Sequence, residues 1–356
     1  MRAVSTQSPS LVPRDYVDPE RYASEVESVL AASWLPVCRA DQLDRSGARI
    51  AVTLAGRPVV VVRDGDEIHV LANVCAHRGS MLMDDGCGTG STLVCPYHRW
   101  AYRLDGSLIG APLIDGTDID GVALTTIRHA IWEGFVLVNL SGDALDPEHA
   151  LAGLSEALAP WRWAEMVTVA SKPFRSTWNW KVMVENWIEC YHHLGSHRET
   201  VEPYQPARTT RIIDSGGAPW TAMTVDSLDG VEGPPEKWMP GIGAEDSKHL
   251  SVWGAFPLLL GGGVAGYGFW LQVVPIDVDH HDVIWHMVVH PSQRERFDQA
   301  EVDRMMAMFA EVHAEDMTAC GRVQRGMASG LLEELRLAPL ESTIAEFQRW
   351  VVQQLG

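Results

Sequence analysis

At 356 residues the chain is long enough for two modest domains or one large one. Nearly half of its residues, 46%, are hydrophobic, so a sizeable core can form, and the formal net charge is −19. With no clustered run of Lys and Arg, that balance argues against nucleic acid as a partner and suits a chain that meets small molecules, or a basic face on another protein.

The first residues, Met1 to Thr6, lack the apolar core of a secretory signal, and the richest apolar knot, Leu258-Leu259-Leu260, is far too short to span a membrane. Six cysteines, at 38, 75, 87, 95, 190 and 320, are too dispersed for a disulfide scaffold. A reducing, cytoplasmic setting is expected, with thiols free to bind metal.

From about residue 33 to 142 the pattern predicts a small all-β domain. Val59 to Val62 is a β-branched run, Asp64-Gly65 punctuates it, Ile68 to Leu71 follows, and Phe135 to Val138 closes the stretch before Ser141-Gly142. Residues 179–193 predict a helix, with Asn179 as its N-cap and Gly195 beyond its end. Strands are expected from about 205 to 291, a helix over 292–326 opened by a Ser292–Glu295 capping box, and a last amphipathic helix from Ser342. The run Gly261 to Gly266 matches G-x-G-x-x-G, but a strand rather than a helix is expected after it, so it predicts a Gly-rich hairpin and not a dinucleotide site. Electrons would then have to come from a separate reductase.

The strongest motif is Cys75-Ala76-His77 followed by Cys95-Pro96-Tyr97-His98, or C-x-H-x17-C-x2-H. Each loop supplies one Cys and one His. A Cys2His2 zinc site usually keeps like ligands together in sequence. Two thiolates on one iron and two imidazoles on the other make a Rieske [2Fe-2S] centre, whose neutral imidazoles raise its potential. The flanks, Asn73 to Gly79 and Cys95 to Trp100, resemble the large subunits of Rieske-type ring-hydroxylating oxygenases. Arg99 stands where that family usually has Gly. Ser80 and Tyr97 stand where respiratory Rieske proteins carry extra disulfide cysteines.

Such a cluster moves one electron at a time, so an oxygenase needs a second centre, two His and one carboxylate on one iron face. The resemblance identifies His192 and His197, three and eight residues after Glu189, as ligands, with His193 an adjacent competitor. It also identifies a late-helix Asp before a Gln-x-Gly element. Asp316, ahead of Gln324-Arg325-Gly326, is chosen over Glu315, with Asp303 and Glu311 as other acids nearby. In the family the acid at Glu189 links the two metal centres across a subunit boundary, accepting a hydrogen bond from a neighbour's cluster histidine, here His98. Glu rather than Asp at that position is similar to the branch acting on glycine betaine, carnitine and proline betaine. Asn186 is expected near the iron, and Trp187, Trp253, Phe256 and Trp270 are candidate pocket aromatics.

The fold implied is α+β: an all-β Rieske domain over 34–142, and a helix-grip (START/Bet v1-like) catalytic domain from 1–33 and 143–356 with a curved antiparallel sheet. The activity implied is O2-dependent hydroxylation or N-demethylation of a small organic substrate. NAD(P)H would feed a flavin/iron-sulfur reductase, and the assembly would be a homotrimer without nucleic acid or membrane. Dihydroxylation of an aromatic ring is a second enzymatic reading. A pure Rieske electron carrier is the reading from another class.

Overall fold

The structure is a computed structural model that describes residues 11–114, 119–228 and 233–356. Contacts divide it into two compact units, Ala31–Ala144 and a second formed by the residues up to Leu30 with Leu145–Gly356.

The Ala31–Ala144 unit is built of short antiparallel strands. Its four-stranded sheet runs Glu67–Ala72, Arg57–Asp64, Ala48–Leu54, Gly86–Thr89 in spatial order. The predicted β-branched run lies inside Arg57–Asp64, with Val59 to Val62 fully buried. Asp64 pairs with Glu67 across a tight turn in which Gly65 adopts φ +57, a backbone that favours glycine. Phe135–Asn139 sits between Trp34–Arg39 and Arg128–Trp132 in a second sheet. A third, of Leu93–Val94, Ala101–Tyr102 and Leu108–Gly110, supports one of the two metal-motif loops.

The other unit holds one seven-stranded antiparallel sheet. Its strands are β1 (Val167–Ser176), β2 (Thr210–Ile213), β3 (Trp220–Asp226), β4 (His249–Ala255), β5 (Leu259–Val264), β6 (Tyr267–Pro275) and β7 (His281–Val289), in the order β1-β7-β6-β5-β4-β3-β2. The Gly-rich run is the β5–β6 hairpin, as expected. Its glycines answer to packing: a Cβ on Gly261 would lie 2.2 Å from the Trp253 ring, and one on Gly263 would lie 2.9 Å from Trp161.

Three helices matter for the site. Helix α1 (Trp180–Trp187) is capped by Asn179, whose side chain accepts from the Lys181 amide. The predicted span of 179–193 is too long, because the helix ends at Trp187. The Glu189 carboxylate then accepts the amides of Tyr191 and His192 and opens a separate 3-10 turn, Tyr191–Leu194. Helix α2 (Gln299–Ala328) is capped by Asp298 and not by Ser292. Residues Pro291–Arg296 form a 3-10 turn of their own, capped by His290. Helix α3 (Ser342–Leu355) begins where expected, and its Thr343 hydroxyl donates to the Ile188 carbonyl at 2.6 Å. Among the described residues no helix is long and apolar enough to cross a membrane.

Candidate active site

Two similar loops carry the Cys/His motif. In the first, the Cys75 amide donates to Ser80 O and the Gly79 amide returns to Cys75 O. In the second, the Cys95 amide donates to Trp100 O and the Arg99 amide to Cys95 O. Cys75 and Cys95 are buried among Leu82, Leu93, Trp100, Tyr102 and Leu124, whereas His77 is exposed and His98 half-buried. The Tyr102 hydroxyl accepts the Ala76 amide, which leaves its proton for Cys75 Sγ at 3.1 Å. Burial pushes the Cys95 thiol up. The amides of Tyr97 and His98, with Cys75 and Ser80, outweigh burial and hold it below its usual range. The Cys95 sulfur therefore sits where a thiolate is stabilised. His77 stacks flat on Trp100, ring centroids 4.8 Å apart, and meets His98 edge-on at 4.8 Å.

One tetrahedral zinc would draw four ligand atoms to within about 4 Å of one another. Among the described residues, the groups of three or more metal-capable side chains whose ligand atoms lie within 4.8 Å of one another are His192/His197/Asp316 and Asp277/Asp279/His280. The Cys/His quartet is more open than that, with buried sulfurs on one side and imidazoles on the other. It suits a two-iron cluster better than a single ion.

The first of those compact groups lies where α1, the turn after it and α2 converge. His197 Nε2 is 3.0 Å and His192 Nε2 3.7 Å from Asp316 Oδ1. Ligand bonds near 2.1 Å at right angles put neighbouring donors about 3 Å apart, so two imidazoles and a carboxylate here fit one iron face. The far side of each imidazole is held by a carboxylate: His192 Nδ1 bonds Glu189 at 2.6 Å, and His197 Nδ1 bonds Glu315 at 2.7 Å. Both Nε2 atoms are thereby turned toward Asp316. Burial raises the Asp316 carboxyl. The facing imidazoles of His197 and His192 and the Asn186 amide, which donates at 2.9 Å, outweigh it and keep the group below the usual carboxylate range. The competitor His193 points elsewhere, its Nδ1 3.3 Å from Gln205 O. Burial depresses it to about 3, so it is neutral.

A cavity of about 770 Å³ opens on this triad. Tyr267, Phe269, Trp285, Phe297 and Phe309 wall it with Trp187, and Glu301, Met305, Met308 and Val312 line it from α2. Ring centroids of Phe269, Trp285 and Phe309 lie 5.2–5.8 Å apart, a continuous aromatic wall.

Of the predicted site residues, the structure brings His192, His197, Asp316, Asn186 and Glu189 together, and separately Cys75, His77, Cys95 and His98. Of the predicted pocket aromatics only Trp187 lines the cavity, its indole N–H tying α1 to the carbonyls of Trp253 and Gly261. Trp253 meets Trp163 in the core, Phe256 packs on Phe347, and Trp270 stacks on His286. Only the α2 side of the cavity was signalled by helical spacing back from Asp316: Val312, Met308 or Phe309, Met305 and Glu301 share its face. Glu315, weighed as a rival to Asp316, instead positions His197.

The family model described as ring hydroxylating alpha subunit (catalytic domain) matches residues 163–356, and that of the Rieske [2Fe-2S] domain matches 33–124. The chain is 36% identical over 189 residues to the glycine betaine monooxygenase oxygenase subunit of Chromohalobacter salexigens. It is 32% identical over 190 residues to the carnitine monooxygenase oxygenase subunit of Escherichia coli K12. Each match takes in 52% of this chain, but only 42% and 51% of those relatives' own length. Among solved structures, that of the quaternary ammonium Rieske monooxygenase CntA in complex with an inhibitor superposes with a TM-score of 0.83 at 23% identity. It covers 97% of this chain and 95% of the other, a likeness of fold.

Proposed function

Because the chain belongs to the ring-hydroxylating oxygenase alpha-subunit family, with a Rieske [2Fe-2S] domain ahead of its catalytic domain, we propose that it is an O2-dependent monooxygenase that hydroxylates or oxidatively N-demethylates a small quaternary amine. Cys75, Cys95, His77 and His98 would hold the [2Fe-2S] cluster, which supplies single electrons. His192, His197 and Asp316 would hold the mononuclear iron, which supplies O2 activation. Overall, substrate C–H, O2, NAD(P)H and a proton give C–OH, water and NAD(P)+. Where the hydroxylated carbon bears nitrogen, the carbinolamine collapses to an amine and an aldehyde.

The chain's own residues do the rest. Glu189 and Glu315 fix the tautomer and aim of the two imidazoles, and Asn186 holds Asp316 in place. The aromatic wall excludes water and offers ring faces to a cationic nitrogen, an attraction that grows with desolvation. Glu189, 4% exposed, also accepts a hydrogen bond from His98 of a neighbouring copy in a homotrimer. A flavin/iron-sulfur reductase delivers the electrons, in a cytoplasm that keeps the thiols reduced.

The observation that carries this reading is the triad at the end of an aromatic cavity, both imidazoles braced by carboxylates. The test is a panel of glycine betaine, carnitine, choline, methoxy-aromatics and arenes, scored for substrate-dependent O2 and NADH use with a reductase. One quaternary amine should stimulate both and yield either a hydroxylated product carrying one atom of labelled O2 or a demethylated amine whose released aldehyde carries that atom. Stimulation by arenes alone, with both oxygen atoms in one product, would replace this reading with dihydroxylation.

A further inference from the structure

The two Cys/His loops differ at one equivalent position. The residue four after each cysteine returns its amide to the cysteine carbonyl in the left-handed region, Gly79 at φ +71 and Arg99 at φ +63. Glycine takes that conformation freely and arginine does not. Among the described residues nothing compensates the strain, for the Arg99 side chain is exposed and has no hydrogen-bond or ion-pair partner there. On the first loop, Arg78 lies over the Tyr97 ring at 5.6 Å. His77 and His98 are thus each followed by an exposed arginine in a chain of net charge −19.

A face of opposite charge flanks the triad. The Thr343–Ile188 bond sets the start of α3 against the turn that carries Glu189. Two residues before Thr343, Glu341 accepts the Ala338 amide with one oxygen and has no cationic partner among the described residues. The Glu189 carboxylate and the His192 imidazole lie within electrostatic reach of it. On the turn after Glu189, Tyr191 and Leu194 are large apolar side chains left 44% and 51% exposed. An unpaired carboxylate with an apolar rim is what an exposed guanidinium beside an exposed aromatic ring would cover.

We propose that Arg99 of one copy of this chain pairs with Glu341 of a second copy, registering the edge that carries His98 on the face that carries Glu189. The proposal rests on the reading that Glu189 meets a neighbour's His98, and adds the contact that aligns them. Arg99 is then a positioning residue, and its left-handed backbone serves the assembly.

A charge swap in the fully loaded holoenzyme tests it. Arg99→Glu and Glu341→Arg should each slow oxidation of the reduced Rieske chromophore in a single turnover about tenfold, and each should shift the assembly toward smaller species by sedimentation. The double variant should recover both readouts. Arg99→Gly, which relaxes the backbone, should fold well and make the enzyme indifferent to Glu341→Gln. A double variant no better than the product of the singles would overturn the pairing. So would single variants that slow only reduction by the reductase, since the rim would then be a reductase dock. Glu189→Gln separates the two levels. Normal transfer in that variant removes the underlying reading, whereas slow transfer there without coupling in the swap removes only the Arg99–Glu341 contact.

Discussion

The two candidate metal centres are built on opposite plans. The Cys/His quartet comes from two hairpin loops within 24 residues of sequence, buries its sulfurs and leaves its imidazoles toward solvent. The triad draws on residues 124 positions apart, buries Asp316 and His197, and braces each imidazole with a further carboxylate. The first plan suits a group that must hand electrons outward. The second suits one that must keep water out and its open positions aimed. The difference teaches that the quartet is specified locally, while the triad depends on tertiary convergence of α1 and α2.

The largest effect that would break the comparison is removal of a triad ligand. Asp316→Ala or His192→Ala should abolish the mononuclear iron and lower turnover by at least about a thousandfold, leaving the visible Rieske chromophore intact. Iron quantitation should fall from three to two per chain. Loss of the chromophore as well would mean the two centres are not independent.

The bracing carboxylates come next. Glu315→Gln keeps an acceptor for the His197 N–H but loses the charge, and should cost about 10- to 100-fold in iron affinity or activity. Glu189→Gln likewise keeps an acceptor for His192 and should lose a similar amount of iron affinity, and at saturating iron its transfer between centres should still be slow. Titrating iron into both variants separates these outcomes.

The same contrast governs what was legible in the sequence. The quartet could be read directly because its ligands and loop turns lie within one short stretch. His192 and His197 could be named through the family resemblance, which sets their spacing after Glu189, but the helix expected to carry them could not be bounded. Gly195 looked like the terminator, yet the Glu189 carboxylate takes the Tyr191 and His192 amides and ends the helical run earlier. Composition and period do not report which backbone groups a side chain will capture. Likewise Asp298 outcompetes Ser292 as the cap of α2, because Pro291 starts a separate 3-10 turn that stops near Phe297. Glu315 and Asp316 are neighbours on one helix, and only the approach of His197 assigns one to the imidazole's back and the other to its front. The cavity wall was missed for the same reason: Phe269 and Trp270 alternate along β6, and sequence does not say which face looks onto the triad.

A pH measurement sharpens the picture of the triad's support. Glu185, next to Asn186, is buried. Burial raises its carboxyl to about 7, against hydrogen bonds from Tyr16 and Gln348. A raised folded pKa means the folded state holds the proton more tightly. That contribution to stability is full below the unfolded value of about 4.5 and is lost as pH rises through about 7. Across that window the loss is about 3 kcal/mol. Glu185→Gln keeps the acceptor for Tyr16 and removes the titration, so the gap between variant and parent should shift in the variant's favour by about that amount from pH 5 to pH 8. Denaturant melts at the two pH values measure it, and an unchanged gap would place the proton elsewhere in the network.

The smallest predicted effect lies in the quartet loops and separates stability from use. Arg99 occupies a left-handed position that Gly79 fills in the sister loop, at a cost of about 1 kcal/mol. Arg99→Gly should therefore raise the unfolding midpoint of the protein modestly, and Gly79→Arg should lower it by a similar amount. The two loops are otherwise alike in their amide-to-carbonyl closures, so the pair of substitutions is an internal control. If Arg99→Gly stabilises the fold while weakening transfer between copies, the strain is retained for what the guanidinium does outside the chain. If it destabilises, the arginine holds the loop itself, and the two loops are not equivalent.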